Sequence, residues 1–194
     1  MADRTKRLWR VFPWDPAARA GAPFSVQSFA PRHAQGGGRF DLRDLTSVLY
    51  LATSAAHAYA EVLRGFPNTR LTDDHLVHAS GHRLASVTVD IPLALYDGLP
   101  DLAVGEVLDR YGVRADTLAL PPTRRAQTQA VARLVWDDGQ AGFRWWSAFH
   151  GEWHSTVLFM ERVKLDATVF GPPRPASLSD PDVLTGAREA GMID

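Results

Sequence analysis

Apolar residues recur along this chain with two periods, every second position or every third and fourth, and these periods divide it into elements. Leu8 to Phe12 sets bulky and apolar residues ahead of Pro13 and predicts a short strand. Residues 13–38, rich in Pro, Gly, Ala and Ser, predict a long connection, either functional or mobile. Val48-Leu49-Tyr50-Leu51 predicts a second strand ending at Thr53-Ser54, with Ser54 the N-cap of a helix from Ala55 to about Leu63, stopped by Gly65 and Pro67. Val87, Val89 and Ile91 alternate with Thr88 and Asp90 up to Pro92, the pattern of a half-buried strand. No motif stands out between Ile91 and Thr123.

From Thr123, a cap after Pro121-Pro122, the positions Ala126, Ala130, Val131, Leu134 and Val135 fall three and four apart until Asp137-Asp138-Gly139, which predicts a helix. Gly142 to Phe149 predicts a strand with Phe143, Trp145, Ser147 and Phe149 on one face, and Thr156–Met160 and Thr168–Phe170 predict further strands. After Gly171, Pro172, Pro173, Pro175 and Pro181 predict a tail over 171–194 that wraps the surface or stays loose, with a weakly helical end. No repeat or linker interrupts the chain, so one domain is expected over 1–194 with its core at about 7–170. Strands bracket the helices without βαβ alternation, so the expected class is α+β with a largely antiparallel or split sheet.

Composition narrows the function classes. The 194 residues carry 21 Lys and Arg against 22 Asp and Glu, a net charge of -1, so no global positive field favours nucleic acid. With no cysteine, thiolate nucleophiles, zinc ribbons and iron–sulfur clusters are excluded. The charged opening Met1-Ala2-Asp3-Arg4-Thr5-Lys6-Arg7 leads into a segment too short and polar for a secretory leader, and no run has the length of a membrane span. A cytoplasmic location is the expectation.

Candidate chemistry begins at Gly36-Gly37-Gly38, which precede Arg39-Phe40-Asp41. Glycines let a backbone approach a ligand closely, and an arginine fork beside them suits a pyrophosphate. The alternative is a surface turn with a solvated arginine; the stretch is neither a P-loop nor a dinucleotide fingerprint. Tyr50 reads as core filler or as a group facing a ligand. Glu61 lies in the first helix with Ala55, Ala58 and Val62 as neighbours, and is either a rim residue reaching water or a carboxylate aimed into a cleft. Ser147 sits between Trp145 and Phe149 without the glycines of a nucleophile elbow, so it is a structural serine or a ligand contact. His75, His78 and His82 stand three and four apart, and His150 and His154 four apart, yet no HExxH pattern occurs, which favours surface histidines over a metal site. Trp9, Trp14, Trp136, Trp145, Trp146 and Trp153 are core and rim aromatics, with stacking on a planar ring as the alternative.

The order of these residues adds to their types. Arg10, then Gly38-Arg39-Phe40, Tyr50-Leu51-Ala52, Ala60-Glu61 and Ser147-Ala148 together resemble the RES domain family from about residue 7 to about 170. Thr123–Ala132 and Gly142–Ser147 are similar to the family's second half. The family is named for an arginine, a glutamate and a serine, matched here by Arg39, Glu61 and Ser147. It often has Trp-Asn where this chain has Phe40-Asp41, a departure that bears on substrate subtype.

The resemblance implies an ADP-ribosyltransferase-like fold and a protein that consumes NAD as the toxin of a toxin–antitoxin pair. NAD would be substrate rather than cofactor, with inorganic phosphate as a co-substrate and no metal. It implies that Arg39 and Arg10, with Gly38 and Phe40 beside them, bind the pyrophosphate; that Tyr50 packs on the nicotinamide ribose or ring; and that Ser147 hydrogen-bonds the substrate. Glu61 would face the cation that develops on the ribose as nicotinamide leaves. Nicotinamide departs neutral, so no general acid is required. An Xre-type antitoxin is the implied partner, and self-association is compatible with the resemblance. Phosphorolysis or hydrolysis of NAD, ADP-ribosylation of a protein, and NAD binding without turnover stay open as three readings.

Overall fold

The computed structural model describes residues 4–120, 122–147 and 149–193, and of Pro122 the backbone alone. Pro121 of the expected cap, Ala148 of the Ser147-Ala148 pair, and Met1, Ala2 and Asp3 of the charged opening lie outside the described residues. Among the described residues six strands, β1 (Thr5–Pro13), β2 (Val48–Ala52), β3 (Leu84–Pro92), β4 (Gly142–Trp146), β5 (His154–Phe159) and β6 (Arg174–Pro175), form one sheet ordered β4-β5-β2-β1-β3-β6. β1 runs antiparallel to β2 and β3, β3 to β6, and β4 to β5. With α1 (Ala55–Leu63), α2 (Leu93–Gly98), α3 (Gly105–Tyr111), α4 (Arg125–Asp137) and α5 (Pro181–Glu189), the chain has the expected α+β fold.

Contacts divide the chain into two compact units, with β2 crossing from one to the other after Tyr50. The first comprises the described parts of 1–28, 51–93 and 166–194. Its spine is the β1–β3 ladder, in register from Thr5↔Pro92 to Pro13↔Leu84, so a proline stands at one end of each strand, where a missing N–H does least harm. α1 packs on β1 and on α5. The sequence expectation of a wrapping or loose tail is corrected here. Arg174 and Pro175 pair with Ser86 and Ala85, the Asp180 side chain accepts from Asp182 N–H, and Pro181 opens α5. Val183, Ala187 and Ala190 then enter one core with Tyr59, Leu63, Leu76 and Leu84. Proline in the first turn starts a helix instead of breaking it, which is why the proline-rich stretch misled. Thr168–Phe170 is likewise not a strand: Asp166 accepts from Thr168 N–H and winds Ala167–Val169 into a 3-10 turn, after which Phe170 makes a single bridge to Val89.

The second unit comprises 29–50 and the described parts of 94–165. Phe40, Val131, Val135, Phe143, Trp145, Val157 and Phe159 form its core between α4 and the β4–β5 hairpin. The stretch without a motif holds α2 and α3, six and seven residues long, too short for periodicity to register. Gly112 ends α3 in the left-handed region at φ 62°, its N–H on Asp109 and Leu108 carbonyls. α4 starts at Arg125, after a 3-10 turn over Pro122–Arg124, so Thr123 is not its cap. β4 stops at Trp146, short of Phe149; Ser147 N–H still donates to Trp153 O at 2.6 Å, and Trp153 N–H donates to His150 O at 3.0 Å in the turn toward β5.

Candidate functional site

In the second unit the glycine loop folds around a carboxylate from its own chain. Asp41 Oδ2 accepts from the N–H groups of Gly36 and Gly38, both at 2.7 Å, and Oδ1 accepts from the Tyr50 hydroxyl at 2.9 Å. The Tyr50 oxygen in turn accepts from Phe40 N–H at 2.9 Å. Desolvation and the Asp41 charge push the Tyr50 phenol well above its usual range, so it stays a donor. Gly36 has a φ of 126°, a conformation that favours glycine. A Cβ on Gly38 would stand 2.6 Å from the Tyr50 hydroxyl and collide with Asp41. Glycine is therefore required at 38 by the Asp41–Tyr50 pair.

The same loop is tied to its neighbours. Thr128 Oγ1 on α4 donates to Arg39 O, and Gln129 Nε2 donates to Gly38 O at 3.0 Å. Gln35 accepts from Val48 N–H at 2.8 Å and donates to Val48 O at 3.0 Å, so the loop's start is pinned to β2. Phe40 is fully buried, edge-on to Phe143 and Trp145 with ring centroids 5.0 and 4.6 Å away. Arg39 Nε and Nη2 are buried, which excludes the solvated surface arginine. The structure thus gathers Gly38, Arg39, Phe40 and Tyr50 into one knot. Asp41, Thr128 and Gln129 were not read as site residues from the sequence.

Ser147, also in this unit, is buried at the end of β4, and its hydroxyl accepts from Phe149 N–H at 3.3 Å.

In the first unit Glu61 projects from α1. Ser54 caps that helix as expected, its hydroxyl accepting from His57 N–H at 3.1 Å. Alanines let the helix lie close to its neighbours: Ala55, Ala56, Ala58 and Ala60 are all buried. The Glu61 side chain is 29% exposed, and Arg64 Nη1 donates to its Oε2 at 3.1 Å. The other oxygen faces Nε2 of the fully buried His57 at 3.8 Å. Thr53 N–H donates to His57 Nδ1 at 3.3 Å, so that nitrogen is the acceptor and Nε2 carries the proton toward Glu61. His57 is a residue that sequence reasoning missed; its spacing of four from Glu61 was the available signal. Val62, grouped with Glu61 from the sequence, is exposed instead, because successive helical residues point about 100° apart.

Arg10 lies on β1 with its guanidinium 4.8 Å from the Phe12 ring centroid. Its Nη1 is buried and has no hydrogen-bond partner among the described residues. Burial lowers its pKa to about 10, which leaves the group charged at neutral pH. The histidines serve local structure: Thr72 N–H donates to His75 Nδ1 at 3.0 Å, Ser80 N–H donates to His78 Nδ1 at 3.1 Å, and His82 packs on Phe24. No group of His, Asp and Glu fit to hold a metal occurs among the described residues.

The RES domain family matches residues 7–179. The chain belongs to that family. Among solved structures, a chain of the M. tuberculosis MbcT–MbcA toxin–antitoxin complex is similar to it at 16% sequence identity, with a TM-score of 0.55 and coverage of 97% of this chain and 90% of that one. At that identity the likeness concerns the fold, which is therefore shared across nearly the whole RES protein. No curated protein matches the chain. No helix among the described residues is long and apolar enough to cross a membrane.

Proposed function

We propose that this RES protein is an NAD-degrading toxin that cleaves the bond between nicotinamide and ribose. The observation that carries the reading is the family match over residues 7–179; within it we assign Arg39, Glu61 and Ser147 as the family's arginine, glutamate and serine. In the reaction the C1′–N bond breaks and its electron pair passes to the pyridinium nitrogen, which leaves neutral. An oxygen of phosphate or water bonds to the same carbon, giving a phosphorylated ADP-ribose or ADP-ribose itself; with water a proton is released.

The residues suit these tasks. The Glu61 carboxylate is partly open and is held by Arg64 and the His57 ring, so it meets a developing ribose cation without first being reoriented. Arg39 offers a guanidinium fork suited to a pyrophosphate, and at Arg10 a ligand oxygen would offset the desolvation of Nη1. Ser147 supplies a hydroxyl for the substrate. The MbcT–MbcA complex pairs a toxin with an antitoxin. By extension we assign this protein an antitoxin partner of the Xre type and a place in the cytoplasm, where NAD is plentiful.

The test is nicotinamide release from NAD by the purified protein, with and without inorganic phosphate. Phosphate-dependent release means phosphorolysis; release without it means hydrolysis. Glu61→Gln is expected to keep its fold and lose about 10²-fold in kcat, the scale of one transition-state contact. Arg39→Lys keeps charge but loses the fork, so the Kd for NAD is expected to rise. Unchanged turnover of Glu61→Gln removes that residue's role. Absence of release, with a labelled protein band from labelled NAD in lysate, moves the reading to ADP-ribosyl transfer. Thermal stabilisation by NAD without any product leaves binding alone.

A further inference from the structure

We propose that Asp41 is a positioning residue that acts through the glycine loop to aim Arg39, serving as the loop's own anion. Consecutive backbone N–H groups of a glycine-rich turn form a concavity that binds phosphates and carboxylates. Here that concavity is already filled, since the N–H groups of Gly36 and Gly38 both point at Asp41 Oδ2 at 2.7 Å. The amides of Gly36 and Gly38 are therefore closed to a ligand phosphate. The anion-recognising group the loop carries beside these filled amides is the arginine at 39.

What the filled loop contributes is a fixed platform for that arginine. Around Arg39, Gly38 N–H is held by Asp41, Phe40 N–H by Tyr50, Gly38 O by Gln129 and Arg39 O by Thr128. Four polar groups of three successive residues are thus spoken for, which fixes the backbone from which the Arg39 side chain projects. A carboxylate is needed for this arrangement. It accepts from three donors at once, whereas the amide of an asparagine would put an NH2 where one of those donors points. The Tyr50 hydroxyl cannot simply turn to oblige, because its oxygen already accepts from Phe40 N–H. The functional consequence rests on the reading that Arg39 meets the NAD pyrophosphate; the ordering of the loop does not.

The experiment has two arms, run on Asp41→Ala and on the milder Asp41→Asn, which keeps the shape of the side chain. In the first, 15N relaxation reports order at the backbone amides of residues 36–40 and at Arg39 Nε–H. Order parameters of ~0.85 are expected in the natural protein, falling below ~0.6 in Asp41→Ala with an intermediate value in Asp41→Asn, while α4 is unchanged. Equal order in all three proteins overturns the proposal. In the second arm, Asp41→Ala is expected to raise KM and Kd for NAD about tenfold with kcat held within about twofold, the signature of lost ground-state binding. In an Arg39→Ala background the same change is expected to add nothing, because Asp41 acts only through Arg39. Additive losses overturn the proposal. If the natural protein binds no NAD while the loop loses order as expected, the pyrophosphate reading fails and the positioning role stands.

Discussion

At Tyr50 a single hydroxyl joins a strand to the glycine loop, donating to Asp41 and accepting from Phe40 N–H. Its titration is a stability statement. A phenol whose pKa is raised on folding favours the folded state below its unfolded value of about 10, and that contribution is lost as pH rises from there toward the folded value. Tyr111, pushed up to about 12 by burial and Asp138, acts with the same sign, so the variant comparison isolates Tyr50. Urea denaturation at pH 8 and pH 10.5 is expected to show a smaller loss of stability for Tyr50→Phe than for the natural protein; equal losses would mean the phenol ionises as freely folded as unfolded. At this scale the sequence exposed residue types but not partners. Arg39, Glu61 and Ser147 were singled out by type and order alone. Asp41 was visible only as a neighbour, and Thr128 reaches Arg39 from 89 positions away, a separation over which no local spacing carries information.

Elements were most legible where local chemistry decides them. Ser54 caps α1 because a serine hydroxyl ahead of an apolar helical period can take an orphan N–H, and the structure has that bond. α5 shows the opposite case. Its residues are weakly apolar, and its stability comes from lying against α1, where Gly186 is a point of close approach: a Cβ there would stand 2.6 Å from Ala56 O and from Tyr59 Cβ. Gly186→Ala is accordingly expected to destabilise the protein by about 2 kcal/mol through overpacking, despite alanine's better helix propensity. Chemical denaturation checks this, and a stabilised variant would mean that α5 does not pack as described.

At the scale of the whole molecule, each compact unit is assembled from segments separated along the chain. A fragment ending at Leu93 keeps β1, α1 and β3 but lacks β6 and α5, so Tyr59, Leu63 and Leu84 lose the Ala176, Val183 and Ala187 that bury them. Such a fragment is expected to lack a cooperative thermal transition by calorimetry, whereas independent folding would require a core that the described packing does not supply. The sequence by itself determined the period of each long element, the cap of α1, the α+β class and the residue types that mark the family, because these depend on neighbours within a few positions. Only the tertiary structure decided that the tail is core, that the glycine loop closes on Asp41, and that His57 stands behind Glu61. Burial strips water from polar groups, and each then takes whichever partner the packing of distant segments brings within reach.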